Sequence, residues 1–260
     1  MRIIYSCPIW VVVLTLLVLT FVASEIGYRL GRVQRNPEPE PSRAVTGLLK
    51  TSIVGLVALL LGFSFSITST RYGQRERMVL DEANSIGTCY LRAGILPDPW
   101  RSQIRAALRR YTDLRLEHFE HALTPGEFQR TTREMDAALA DLWSAVEQAA
   151  QGVPQLMPAT QIVPSANQVI DLAGMRAWAT FNQMPPVVVL LLGLCVLVSS
   201  LLTGHSSGQT GRRHFGISLA MNILLMMVLF VILDFDRPRQ GFIQLNHSPL
   251  LTVQQQMKGS

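Results

Sequence analysis

Residues 51–92 read TSIVGLVALLLGFSFSITSTRYGQRERMVLDEANSIGTCYLR, and this stretch decides the fold. Its first part, 51–70, carries no charged side chain, and about 20 apolar residues are enough for a helix to cross a bilayer core of about 30 Å. No proline follows until Pro97, and apolar residues recur on one helical face at Val79, Ala83, Ile86 and Tyr90. The stretch therefore predicts one helix that runs from a membrane span to about Arg92.

Three further stretches also lack charged side chains: Ile3–Ser24, Ala177–Gly211 and Phe215–Leu233. Only 16% of the 260 residues are charged, against roughly 25% in soluble domains. An ordinary soluble enzyme and a disordered chain are both excluded. The four predicted spans are about Ile9–Ala23, Thr51–Thr70, Val187–Leu202 and Phe215–Leu233.

The first span also fits a cleavable signal peptide. Because the helical spacing continues from Glu25 to Arg32, an uncleaved anchor is the preferred interpretation. Asn36–Ser42 predicts a proline-rich connector, since proline at every second position cannot propagate a helix. Thr203–His214 is rich in glycine and serine and predicts a loop between the last two spans.

Helix start signals mark the region between the two pairs of spans. Asp98 precedes Pro99 as a capping carboxylate, and Thr124 with Glu127 forms a capping box. A further helix is predicted from about Pro164 to Asn182. The expected fold is an all-α membrane protein with four transmembrane helices and a helical soluble domain between the two hairpins. Its expected parts are a first hairpin (1–70), a membrane-proximal helical domain (71–184), a second hairpin (185–235) and a C-terminal tail (236–260).

The net charge of +5 does not indicate a nucleic-acid partner. Residues 71–184 hold 12 Arg and 13 acidic residues, a net charge of −1, and the remaining 11 basic and 5 acidic residues give +6 near the spans. Basic residues beside spans anchor helices and meet anionic lipid headgroups, so membrane lipid is the expected partner. Seven basic residues flank the spans on each side, and the positive-inside rule therefore leaves the orientation open.

No common catalytic or nucleotide-binding motif occurs, and we expect neither an enzyme nor a cofactor. The residues nearest to a metal site are Glu117, His118 and His121, because one helical turn separates His121 from each of the other two. Helical metal sites also need carboxylates and the Glu-x-x-His spacing on facing helices, so no bound metal is expected. The sequence has three cysteines, Cys7, Cys89 and Cys195. Their spacing is not that of a metal-binding pair, and we interpret them as small apolar residues.

Small residues of the second span fall on one helical stripe, which polar residues continue beyond the span. Such a stripe lets membrane helices pack closely, or it lines a water-filled path in an oligomer. Phe63 and Phe65 are the bulky candidates for the narrowest point of a path. The possible pore-lining residues are Gly55, Gly62, Phe63, Ser66 and Ser69. The possible mouth residues are Arg77, Asp81, Asn84, Thr88 and Arg92.

Three polar residues lie in or next to the fourth span. Asn222 predicts an interhelical hydrogen bond, with a transport role as the less favoured alternative. Asp234 and Asp236 lie at the end of the span. Either a cation or a neighbouring arginine, Arg237 or Arg239, would pair with them, and the arginine is the favoured partner.

The string LGFSFSITSTRYGQRERMVLDEANSIGTCYLRAGILPDPWR, Leu61–Arg101, resembles the mainly bacterial membrane proteins known as bestrophin-like, a family of unknown function. Val79–Arg92 is its most specific part. The ending is similar too, with LDFDRPRQG at Leu233–Gly241 and Ser248-Pro249-Leu250 beyond it.

The resemblance implies kinship with bestrophins, which are pentameric anion channels whose second span lines the pore. It also implies that the protein lies in the cell's inner membrane. The helical domain and both termini would then be on the cytoplasmic side. A bestrophin-type acidic calcium clasp is not visible, because Asp234 and Asp236 supply only two carboxylates. We therefore expect a homo-oligomeric channel or transport protein for small anions. The alternative is a membrane-anchored sensor or scaffold whose helical domain binds a protein.

Overall fold

A computed structural model of the chain describes residues 9–34, 40–121, 124–152, 156–210, 215–237 and 241–259. No strand occurs among these residues, and the predicted all-α class is confirmed. The helices are α1 (Ile9–Val33), α2 (Glu40–Ala93), α3 (Trp100–His121), α4 (Pro125–Gly152), α5 (Leu156–Phe181), α6 (Pro186–Thr210), α7 (Phe215–Phe235) and α8 (Ser248–Lys258). By length and composition, four helical ranges can cross a membrane: Ile9–Val33, Gly47–Ala93, Thr160–Thr210 and Ser218–Phe235.

Helix α2 is continuous over 54 residues, and as predicted it runs from the span at Thr51–Thr70 to one residue beyond Arg92. The predicted connector at Asn36–Ser42 was wrong from Glu40 onward, because α2 begins at Glu40. Pro41 lies in the first turn, where a helix needs no backbone N–H donor and tolerates proline. The part of the connector at residues 35–39 lies outside the described residues.

The chain divides into two compact units. Unit 1 consists of Met1–Tyr72 and Gln183–Gln244, and unit 2 consists of Gly73–Asn182 and Leu245–Ser260. Each unit has its own cluster of buried apolar side chains. The predicted C-terminal tail contributes to both units, since α8 belongs to unit 2.

In unit 1, α1 and α6 approach each other so closely that only glycine fits at four positions. A methyl group on Gly27 or Gly31 would overlap a backbone carbonyl oxygen of α6, and one on Gly204 or Gly208 would overlap a carbonyl oxygen of α1. The predicted loop at 203–214 was therefore wrong up to Thr210, where α6 ends; residues 211–214 lie outside the described part. Glycines four residues apart are a recurrent feature of close helix packing in membranes.

Polar side chains inside unit 1 find partners in other segments of the same unit. The hydroxyl of Ser200 in α6 donates a 2.8 Å hydrogen bond to Oδ1 of Asn222 in α7, which confirms the predicted interhelical bond. Asp234 accepts the backbone N–H groups of Phe242 and Ile243 at 2.8 and 2.9 Å. Both carboxylate oxygens of Asp236 face the N–H of Met184, at 3.0 and 2.9 Å. Backbone donors were not among the predicted partners of these two aspartates.

Unit 2 follows the predicted start signals except at α5. Thr124 and Glu127 form the capping box reciprocally, with N–H to side-chain distances of 3.1 and 3.2 Å. Helix α3 begins at Trp100, and the Asp98 carboxylate accepts the Ser102 hydroxyl at 2.5 Å. The expected start of α5 at Pro164 was wrong, because α5 begins at Leu156 and includes that proline. Its buried neighbours Ile162, Ser165, Ala166 and Val169 anchor the helix on both sides of the missing N–H.

Candidate functional site

Helix α2 has two faces with opposite surroundings in unit 1. Val57, Leu61, Ser64 and Thr68 are buried and recur at three- and four-residue spacing. The opposite side carries the predicted pore-lining residues, which we call the open face: Gly55, Gly62, Phe63, Ser66 and Ser69. Four of them are exposed and Ser69 is half-buried.

The glycines of the open face have room around them. A methyl group on Gly55 or Gly62 would meet no atom of the described part of the chain within 4 Å. Close packing within one chain, the other interpretation of the small-residue stripe, therefore does not explain these two glycines. Their face is available to lipid, to water or to another chain.

The two phenylalanines proposed as the narrowest point differ in their surroundings. The ring of Phe65 lies 6.0 Å from the ring of Phe235, which also stacks on Tyr72 at 5.2 Å. Phe63 is 59% exposed, against 42% for Phe65. Phe63 is thus the more exposed of the two and belongs to the open face, while Phe65 is part of an aromatic cluster with Phe235 and Tyr72 in unit 1.

In unit 2, the part of α2 from Gly73 to Ala93 carries the predicted mouth residues. Arg77, Asp81, Asn84 and Thr88 are exposed. Arg92 is half-buried, and its Nη1 donates a 3.2 Å hydrogen bond to the carbonyl oxygen of Gln161. Ser85, which the sequence pattern places on the same stripe, is instead buried and donates its hydroxyl to the Glu82 carbonyl at 2.8 Å.

A buried charged cluster in unit 2 was not predicted. The Glu82 carboxylate accepts hydrogen bonds from Tyr111 and Arg176, and Arg115 Nε lies 3.2 Å from Glu82 Oε1. Burial and the Glu82 charge raise the pKa of Tyr111 well above its usual value. Burial opposes the charge of Arg115, but the paired carboxylate outweighs it and raises the Arg115 pKa. The cluster holds two guanidinium groups and one carboxylate in the interior.

The histidine-rich end of α3 has ordinary polar partners. His118 Nδ1 lies 2.6 Å from the Thr131 hydroxyl, and Arg130 donates to Glu117 at 2.8 Å. The side chain of His121 lies outside the described residues. In the described part of the chain, no three His, Cys, Asp or Glu side chains come together as a metal site would require.

Comparison with known proteins identifies the fold and the family. The structure is similar to the crystal structure of a bacterial bestrophin homolog from Klebsiella pneumoniae, with 16% identity, a TM-score of 0.67 and coverage of 95% of this chain and 97% of that chain. Two single-residue variants of the Klebsiella pneumoniae protein also match, with TM-scores of 0.66 and 0.69, identities of 15% and 16%, and coverage of 100% of this chain and 100% and 98% of theirs. At these identities the likeness shows the fold.

The assignment to a family is based on the sequence. No curated protein matches the sequence. The model of the Bestrophin-like domain matches residues 14–250, which include α2, both faces described above and the buried cluster. This chain, a membrane protein with four candidate spans, therefore belongs to the Bestrophin-like family.

Proposed function

We propose that the chain is one subunit of a homo-oligomeric channel for small anions, with the open face of α2 lining the path. The observation that carries the proposal is the contrast between the two faces of this helix in unit 1. One face is buried by its own chain, and the other exposes small and hydroxyl-bearing residues together with Phe63, with open space around Gly55 and Gly62. The proposed lining is Gly55, Gly62, Phe63, Ser66 and Ser69, and the proposed mouth is Arg77, Asp81, Asn84, Thr88 and Arg92.

The residue types support a path for water. A helix face that meets only lipid carries large apolar side chains, whereas small and polar residues suit another helix or a water-filled path. A ring of identical copies turns one open face of each copy toward a common axis, and kinship with bestrophins suggests five copies. The mouth holds two arginines and one aspartate, so its positive excess favours anions over cations.

The oligomeric state is the first test. The mass of the purified protein, measured by light scattering with the detergent contribution subtracted, should correspond to a ring, with five copies as the expected number. A monomer or a dimer would contradict the channel, because a path on a symmetry axis needs at least a ring. That result would favour the sensor or scaffold that binds a protein through residues 71–184.

Chloride efflux from liposomes tests the lining. Hydrophobic constrictions close pores by excluding water, so Phe63→Ala should raise the flux several-fold without changing the assembly. Phe65→Ala is the matched control, because Phe65 packs near Phe235 and its loss should lower stability without opening a path. A flux that is absent from the native protein and from the Phe63 variant would reject the proposal.

Selectivity tests the mouth. Arg77→Glu replaces a positive charge with a negative one and should shift the reversal potential toward cations. Arg133→Glu makes the same charge change at an exposed arginine of α4 and should leave selectivity unchanged. Equal shifts for the two variants would show a general effect of net charge rather than a role of the mouth.

We also propose that the helical domain and both termini face the cytoplasm, in the inner membrane, as in bestrophins. Single cysteines at exposed Gln129 and Thr210, in a background without native cysteines, test this orientation. A membrane-impermeant maleimide applied to intact spheroplasts should label the cysteine at 210 and spare the one at 129. The reverse pattern would contradict the orientation.

A further inference from the structure

His247 immediately precedes α8 in unit 2 and is only 8% exposed. Its ring stacks on Phe119, with 3.4 Å between centroids and 24° between planes. Nδ1 lies 2.8 Å from the carbonyl oxygen of Leu245, and Arg176 Nη2 lies 3.4 Å from Nε2. A carbonyl only accepts and a guanidinium only donates, so Nδ1 carries the hydrogen and Nε2 carries none. This geometry requires a neutral imidazole.

The charges around His247 oppose a second proton on its ring. Arg176 of α5, Arg115 of α3 and Glu82 of α2 face it, which amounts to two positive charges and one negative charge. Burial lowers the pKa of His247 to about 4, and the two arginines act in the same direction. The hydrogen bond to Leu245 and the charge of Glu82 act in the opposite direction but are weaker in sum.

Helix α8 begins directly after His247 and packs into unit 2. Leu250, Val253 and Met257 are buried in the apolar core of the unit. At the other end of the helix, the Met257 carbonyl oxygen accepts Tyr90 Oη at 3.2 Å and Arg109 Nε at 3.0 Å. The helix is short, with 11 residues, and a helix of that length needs tertiary contacts to stay formed.

We propose that His247 is an acid-sensitive latch, whose protonation at Nε2 releases Leu245–Lys258 from unit 2. The new N–H points at the Arg176 guanidinium, which cannot accept it, and the cation is stable only when the segment moves into water. The latch holds at neutral pH and opens on acidification. It does not depend on ion conduction, so its failure and the failure of the channel proposal are separate results.

Hydrogen exchange in the full-length detergent-solubilised protein, from pH 7.5 to 4.5, tests the latch. After correction for intrinsic rates, protection of the α8 amides should fall about tenfold per pH unit below about 6.5, where an exposed histidine takes up its proton. Amides of α3 near Leu108 should stay protected. His247→Gln keeps a neutral polar side chain and should remove the pH dependence, whereas His118→Gln should preserve it.

Three results would overturn the latch: pH-independent protection of α8, equal loss of protection in α3, or pH dependence that survives in His247→Gln. If His247→Gln fails to fold, the native protein still decides the question. The imidazole carbon shifts of labelled histidine should then give His247 a pKa well below 6. A pKa near 6.5 would refute the proposal.

Discussion

The glycines of the α1–α6 crossing and those on the open face of α2 have opposite surroundings within unit 1. A methyl group on Gly204 would overlap the carbonyl oxygen of Ser24, whereas one on Gly62 would meet no atom of the described chain within 4 Å. The same residue type thus permits close packing in one place and leaves space in the other. Spacing identifies the residues that share a face, and only the neighbouring helices decide what that face does.

The same contrast between a covered and an open position exists for two carboxylates of unit 2, and there we expect the largest effect on stability. Glu82 and Glu134 both pair with arginine, but the Glu82 side chain is 0% exposed and the Glu134 side chain is 36% exposed. Glu82→Gln should lower the free energy of unfolding by about 3–5 kcal/mol, because it leaves two buried guanidinium groups without their carboxylate. Glu134→Gln should change it by less than about 0.5 kcal/mol. Chemical denaturation in detergent measures both, and similar losses would show that burial does not decide the effect.

Gly204→Ala tests the crossing directly. The added methyl group meets a backbone atom, which cannot rotate away, so we expect a loss of about 3 kcal/mol and a lower midpoint of thermal unfolding. Gly193→Ala on the same helix is the matched control, since its methyl group would lie 3.6 Å from a flexible Leu16 side chain, an ordinary contact. Equal midpoints for the two variants would show that the crossing tolerates an added methyl group as well as an ordinary contact does.

Gly62→Leu tests the open face by adding a large side chain where the described chain leaves space. The space at Gly62 accepts the larger side chain within one chain, so the free energy of unfolding should change by no more than about 1 kcal/mol. If the face lines the path, chloride flux into liposomes should fall at least several-fold. A flux equal to that of the native protein would place the path elsewhere.

Gly55→Ala should have the smallest effect. Alanine favours a helix over glycine by about 1 kcal/mol, and nothing nearby opposes its methyl group, so stability should rise slightly. Thermal unfolding of the oligomer measures the change. A clear loss of stability would indicate that another copy packs against α2 at this level, which would narrow the part of the open face that can meet water.

Local signals in the sequence predicted much of the helical architecture. The capping box at Thr124 and Glu127 and the unbroken pattern through α2 depend only on residues within a few turns of each other. The loop predicted at 203–214 failed because glycine and serine suit both turns and close helix crossings. Gly27 and Gly31, spaced like Gly204 and Gly208, were the available signal for the crossing.

The buried cluster could not be found by spacing. Glu82, Arg115 and Arg176 are separated by 33 and 61 residues, and each looks like an ordinary charge on an amphipathic helix. The candidate site was partly predictable for a related reason. Helical periodicity grouped Gly55, Gly62 and Ser66 on one face, but whether that face is covered depends on helices distant in sequence.

The position of α8 in the core of unit 2 has a consequence for biosynthesis. Chains emerge from the ribosome with the N-terminal part first, and the helices of residues 73–182 are made before α6 and α7. Leu250, Val253 and Met257 fill that core, yet they follow both later spans in the chain. Part of the apolar interior of unit 2 therefore stays uncovered until the second hairpin and then α8 have been synthesised. This interval is when a chaperone or a neighbouring nascent chain has access to the surface that α8 later occupies.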